Sequence, residues 1–216
     1  PYLITLSSYV GVCYTVWNIT MVATSPLYAE NYGLNNLQIG LTYISNGTRS
    51  LCGSILTGKL LNIEYRRQLK RERKHVEDVT AVKEVKKIEL VRIRPMIVPI
   101  ALFIPCVVAF GWVVDYHAHI AVSITLAIFI GGLDTCILAA FLMLVVDLFQ
   151  SQSFSVTAYM NLSHCLIAAG GTTVVQPLIQ AVGVGWAFTT CASITLTTCP
   201  FATTKLYYGT RWRNKR

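Results

Sequence analysis

Charge is almost absent from long stretches of this sequence. No Asp, Glu, Lys or Arg occurs in residues 1–29, 31–48, 95–114 or 148–204. A helix needs roughly 20 mostly apolar residues to cross the hydrocarbon of a bilayer, and these windows supply several. Six apolar segments can be drawn: Leu3 to Leu27, Leu37 to Leu61, Pro95 to Val114, Ile120 to Val146, Phe154 to Ala181, and a last one ending at Thr204. Polar punctuation separates them: Tyr28 to Asn36 with Gly33 as a breaker, the link Asp115 to His119, Asp147 to Ser153, and the tight turn Gly183-Val184-Gly185-Trp186. The pattern predicts an all-α polytopic membrane protein with six transmembrane helices. Pro99 and Pro105 predict a kink in the third. Ser50, Ser54 and Gly58 give the second a small-residue stripe at a spacing of four, the pattern that lets helices approach closely in lipid.

The charged residues then set the organisation. Only 13% of residues are charged and 54% are hydrophobic, against about a quarter charged in an ordinary soluble domain. Between Asn62 and Arg94 stand eleven Lys or Arg and six Asp or Glu. The tail from Lys205 adds five more basic residues, so these two regions hold sixteen of the eighteen. A net charge of +8 spread over a surface would suggest nucleic acid. Confined to two loops, it marks the face of a negatively charged leaflet, and no nucleic-acid partner is expected. The organisation read from this is two spans in 1–61, a basic cytoplasmic loop in 62–94, four spans in 95–204, and a basic cytoplasmic tail in 205–216. Both ends then lie in the cytoplasm. The loop reads as a solvated tether or as a basic amphipathic helix on the leaflet. The chain opens at Pro1 without a Met, which fits a piece of a longer protein.

Chemistry of the enzymatic kind finds no foothold. The seven cysteines are scattered singly through apolar segments, with no C-x-x-C pair. No phosphate-cradling glycine loop, nucleophile elbow or zinc-protease motif occurs, and His75, His117 and His119 have no acidic partner that would make a metal site. No enzyme, metal or cofactor is expected. Charged side chains at membrane depth are costly, and each is a functional candidate. Arg49 sits midway along the second span, as a structural ion pair, a snorkelling side chain, a substrate contact or a damaging substitution. Asp134 sits midway along the fourth, able to bind a cation or a proton, to pair with Arg49, or to serve as a hydrogen-bonded structural acid. His164, in the fifth, reads as a proton relay or as a hydrogen-bonded core histidine.

Several runs together resemble a known family: Gly40-Leu41-Thr42-Tyr43-Ile44-Ser45-Asn46-Gly47 leading to Gly53 and Gly58-Lys59, then Val145-Val146-Asp147-Leu148-Phe149, Ser155-Val156-Thr157-Ala158, Asn161-Leu162 and Cys165, and Gln176-Pro177-Leu178-Ile179 before Gly183-Val184-Gly185-Trp186. The chain resembles the carboxyl-terminal six-span half of a major facilitator transporter, and within that superfamily the fungal twelve-span drug:proton antiporters of the quinidine and multidrug resistance group. The resemblance covers essentially the whole chain. It implies spans seven to twelve of a transporter, a missing amino-terminal six-span half, a small organic substrate, a proton as coupling ion and a plasma-membrane location. It also implies a cavity lined by Asp134 and Arg49, flanked by Asn161 and His164, and a cytoplasmic gate at Lys59, Arg66, Arg67 and Asp147. Departures fall at polar positions: Arg49 replaces a small residue, Asn62 an acidic one, Gln150 a proline and His164 an arginine. A shifted substrate range would look like this, and so would a transport-inactive six-span remnant or interaction protein.

Overall fold

The computed structural model describes residues 2–44, 47, 53–55, 58–59, 81–148 and 152–213. Among them every element is helical. Helix α1 is Tyr2–Tyr32, α2 begins with the helical residues 36–44, α3 is Ala81–Asp115, α4 is Ile120–Leu148, α5 is Ser153–Val182 and α6 is Val184–Arg213. Helices satisfy their own backbone groups, which is what a spanning segment requires. Among the described residues, three stretches are long and apolar enough to cross a membrane by length and composition: Val98–Asp115, Ile120–Met143 and Ser153–Val182.

The helices outrun the segments expected from hydropathy. Pro26 lies inside α1, which continues to Tyr32 instead of stopping at Leu27. The third helix starts at Ala81, so the last part of the expected loop 62–94 is helical and runs unbroken through Pro95. The basic tail is helical as far as Arg213. Charge marks where a chain leaves hydrocarbon, not where its hydrogen-bond ladder ends.

Helix α1 is the most enclosed. It packs on α5, α6 and α4, while α3 packs on α4 and α6. On α3 the buried residues Phe103, Val107, Phe110 and Val114 recur at helical spacing. The Phe110 ring meets Phe188 of α6 edge to face, with centroids 5.2 Å apart. Gly111 makes that approach possible, since a methyl there would press on Phe188 Cβ.

The α1–α5 contact is built differently. Gly11 faces Ile167 and His164, and Gly171 faces Thr15 and Ile19, so the two helices run parallel. A methyl on Gly171 would run into Thr15 Cγ2. The small-residue stripe expected in the second span lies partly outside the described residues, and the contact described there is a different one. Gly53 provides it, a Cβ there lying 3.4 Å from Gly132 Cα and Thr135 Cβ of α4, whereas Ser54 and Gly58 are exposed and Ser50 lies outside the described residues.

The α5–α6 joint is a single residue. Gly183 has φ 89° and ψ 164°, and its N–H closes the last turn of α5 on Ile179 O at 2.9 Å. Its carbonyl accepts from Ala187 N–H at 3.1 Å to open α6. Only glycine enters that conformation cheaply.

Candidate functional site

Asp134 lies in the middle of α4, 5% exposed, on the stripe that also carries Ile130, Ile137 and Phe141. The backbone of the second helix reaches the neighbouring turn through Gly53. Neighbouring groups engage Asp134. A carboxylate held at this depth needs such company, because an isolated charge in an apolar interior is prohibitively costly. Arg49, the partner considered from sequence, lies outside the described residues.

His164 belongs to the one stripe that α5 buries, with Val156, Met160, Ala168 and Val175. It is 3% exposed and faces α1. Its ring lies beside Tyr14, with centroids 5.9 Å apart and planes inclined by 35°. Asn161, one turn earlier, is exposed on α5. The fold therefore divides the expected cavity residues: Asp134 in the stripe of α4, His164 between α5 and α1, Asn161 on an open face.

The expected gate is placed only in part. Lys59 is helical and exposed. Asp147 falls in the last turn of α4 instead of in a link, and Arg66 and Arg67 lie outside the described residues. Among the described residues no three His, Cys, Asp or Glu side chains gather to hold a metal ion.

Sequence reading missed a second polar cluster, at the end of the bundle that carries the 116–119 link. Tyr28 of α1 and Ser123 of α4, both buried, share a hydrogen bond of 2.7 Å. Tyr32 donates to Ala118 O at 2.6 Å, and Tyr43 donates to Met21 O at 3.0 Å. Tyr28 and Tyr32 stand beyond the apolar stretch of α1. Burial raises both phenols above the ordinary tyrosine value, and at Tyr28 the Ser123 hydrogen bond opposes the rise. Both are neutral at physiological pH, and Tyr32 is the donor of its bond. Beneath them lies a cavity of about 20 Å³ between Thr24 and Tyr28 of α1, Thr42 and Tyr43 of α2, and Ile124 and Ala127 of α4. That is room for about one water molecule. The signal available in sequence was the spacing of Tyr28 and Tyr32 after Pro26, but their partners are 95 and 86 residues away.

Comparison with known proteins places this arrangement. The chain is 36% identical over 213 residues to citrate exporter 1 of Aspergillus niger, covering 95% of this chain and 40% of that protein. It is 30% identical over 189 residues to the MFS-type transporter R5 of a Phoma species, covering 85% of this chain and 35% of the other. With the MFS antiporter QDR1 of Candida albicans it shares 29% identity over 191 residues, 87% of this chain and 37% of that one. The chain thus spans about two-fifths of the length of these relatives. No family model and no solved structure matches it.

Proposed function

Because this chain belongs to the fungal major facilitator transporters, we propose that its helices are the carboxyl-terminal half of a twelve-span exporter that moves small organic compounds out of the cell in exchange for protons. The observation that carries this reading is 36% identity with a named exporter over an alignment that covers 95% of the chain. In transporters built from repeats the substrate sits near the bilayer midplane, between halves that rock against each other. In this reading the basic segment 62–94 and the tail face the cytoplasm, and the Tyr28–Ser123 end faces outward at the plasma membrane.

Asp134 and Arg49 are the cavity residues of the proposal, Asn161 and His164 stand at its flank, and Lys59, Arg66, Arg67 and Asp147 form the cytoplasmic gate. The relatives carry in their names both an organic acid and antiport, and the polar set proposed here has groups of both signs. Substrate class is therefore tested with two probes, citrate and a cationic drug.

A tag on the carboxyl end, followed by sizing of the native product in membranes, tests the half-transporter reading. A product about twice the mass of this 23.9 kDa chain, as two six-span halves require, supports it. A product near 23.9 kDa with no separate first half overturns it in favour of a six-span product without transport. Loss of efflux of either probe in Asp134→Asn assigns the carboxylate to the cavity, and unchanged efflux of both removes it.

A further inference from the structure

Threonine hydroxyls in these helices spend their hydrogen bonds at home. On α1, Thr15, Thr20 and Thr24 donate to Gly11, Val16 and Thr20 carbonyls at 2.6–2.9 Å, and Asn18 donates to Tyr14 O at 2.9 Å. On α5, Thr157 and Thr172 do the same with Ser153 and Ala168. Against this habit two groups stand out. Ser7 Oγ and His164 Nε2 are buried with no hydrogen-bond partner among the described residues, in side chains 1% and 3% exposed. A buried polar atom without a partner costs about 1–3 kcal/mol, so native structures give such atoms a use.

The two belong to one seam. Gly11 of α1 faces His164, a Cβ there standing 3.6 Å from His164 Cδ2. Ser7 is one turn before Gly11 on the same helix face. Helical side chains lean toward the start of their own helix, and in this parallel pair that is the direction in which Ser7 lies from Gly11. Whichever tautomer it holds, Nε2 offers a lone pair or an N–H for which this packing supplies no taker.

The charge surroundings are sparse. α5 contains no Asp, Glu, Lys or Arg, and the carboxylate of α1, Glu30, is at its far end. Among helices that also touch α5, α4 contributes Asp134 and Asp147, and α6 has no charged residue before Lys205. The titratable group in contact with the ring is Tyr14. Among the described residues of this seam, His164 is the one whose side chain type ordinarily titrates between pH 5 and 8.

We infer that the α1–α5 seam is the proton-binding site of the transporter, with His164 Nε2 as the group that takes the proton and Ser7 Oγ as the acceptor that steadies the charged ring. The Nε2 lone pair forms the new N–H bond, imidazole becomes imidazolium, and the same bond breaks when the seam opens to the opposite side. No other bond changes. Closely packed glycines make the seam tight, so proton exchange is tied to movement of α5 against α1. This inference rests on the antiport reading above, but it separates the proton from Asp134 and so from the substrate.

Two measurements on the native protein test it. Histidine-ring NMR of 15N-labelled protein, with the His164 signal assigned by its loss in His164→Gln, follows His164 directly and needs no substrate. A ring that titrates between pH 5 and 8, with a midpoint lowered by roughly 1–2 units in Ser7→Ala, the worth of one hydrogen bond to a charged group, is expected. A ring in one protonation state across that range overturns the proposal. In vesicles, His164→Gln should lose the acceleration of probe efflux by a pH gradient while citrate or drug exchange without a gradient persists. Gradient-driven efflux equal to wild type overturns the proton site and leaves the exporter intact. A wild-type protein that moves neither probe defeats the exporter reading, and the His164 titration then decides the site by itself.

Discussion

The α3–α6 contact and the α1–α5 contact use the same device, a glycine that lets one helix close on another, to opposite ends. At Gly111 the space is filled by Phe188 and Phe110, rings with no polar demand. At Gly11 and Gly171 it is filled by Thr15, Ile167 and His164, and polar groups remain in the closed interface. In lipid, association of helices depends on van der Waals packing and interhelical hydrogen bonds more than on hydrophobic burial. The aromatic seam satisfies that requirement completely and has nothing to gain from moving. The histidine seam leaves hydrogen-bonding capacity unused, and so carries a reason to rearrange. One seam is scaffold, and the other is where work can be done.

The largest effect should come from breaking the scaffold. Phe110→Ala empties a fully buried site and is expected to cost about 3–5 kcal/mol, read as an earlier thermal transition of the purified protein. The pH dependence of efflux should survive in whatever protein remains folded. Next comes Gly171→Ala, which drives a methyl into Thr15 and should cost about 1–3 kcal/mol. It should also slow gradient-driven efflux, because it wedges the seam argued to move. Tyr28→Phe removes the bond to buried Ser123 and should cost about 1 kcal/mol, with Ser123→Ala giving no further loss in the double variant. The smallest effect sharpens the contrast by a single position. Gly170, next to Gly171, has nothing within 4 Å of an added Cβ. Gly170→Ala should therefore be neutral or gain up to about 1 kcal/mol of helix propensity, in the same thermal assay.

Much of the architecture could be read from sequence because charge is so unevenly spread. The positions of α4, α5 and the Gly183 break follow from apolar runs and one turn signal. Helix ends were less legible. Pro26 looked like a stop, yet a proline inside a membrane helix is tolerated when neighbours supply what its ring denies, and Tyr43 hydrogen-bonds the nearby Met21 carbonyl. Ala81 to Arg94 looked like loop because its charge exceeds that of a span, and hydropathy says nothing about backbone conformation in water. Among candidate residues, the burial of Asp134 and His164 was foreseeable from depth. That His164 turns to α1 and Asn161 away from the buried stripe was not, because both lie in one apolar run and only the partner helix decides between faces. Tyr28 and Ser123 had to await the fold, since no local pattern joins residues so far apart.

The one-residue joint at Gly183 has a mechanical meaning. Two helices of 30 residues each are about 45 Å long, and between them there is no slack to absorb relative sliding. α6 packs on α1 as well as on α3, so a swing of α5 away from α1 must be taken up at Gly183 or carried into α6. A tilt of about 5° at the joint becomes about 4 Å at the far end of a 45 Å arm. A residue without a side chain thus joins two long arms, and under the proposed reading a local event at His164 has a lever to the opposite side of the membrane.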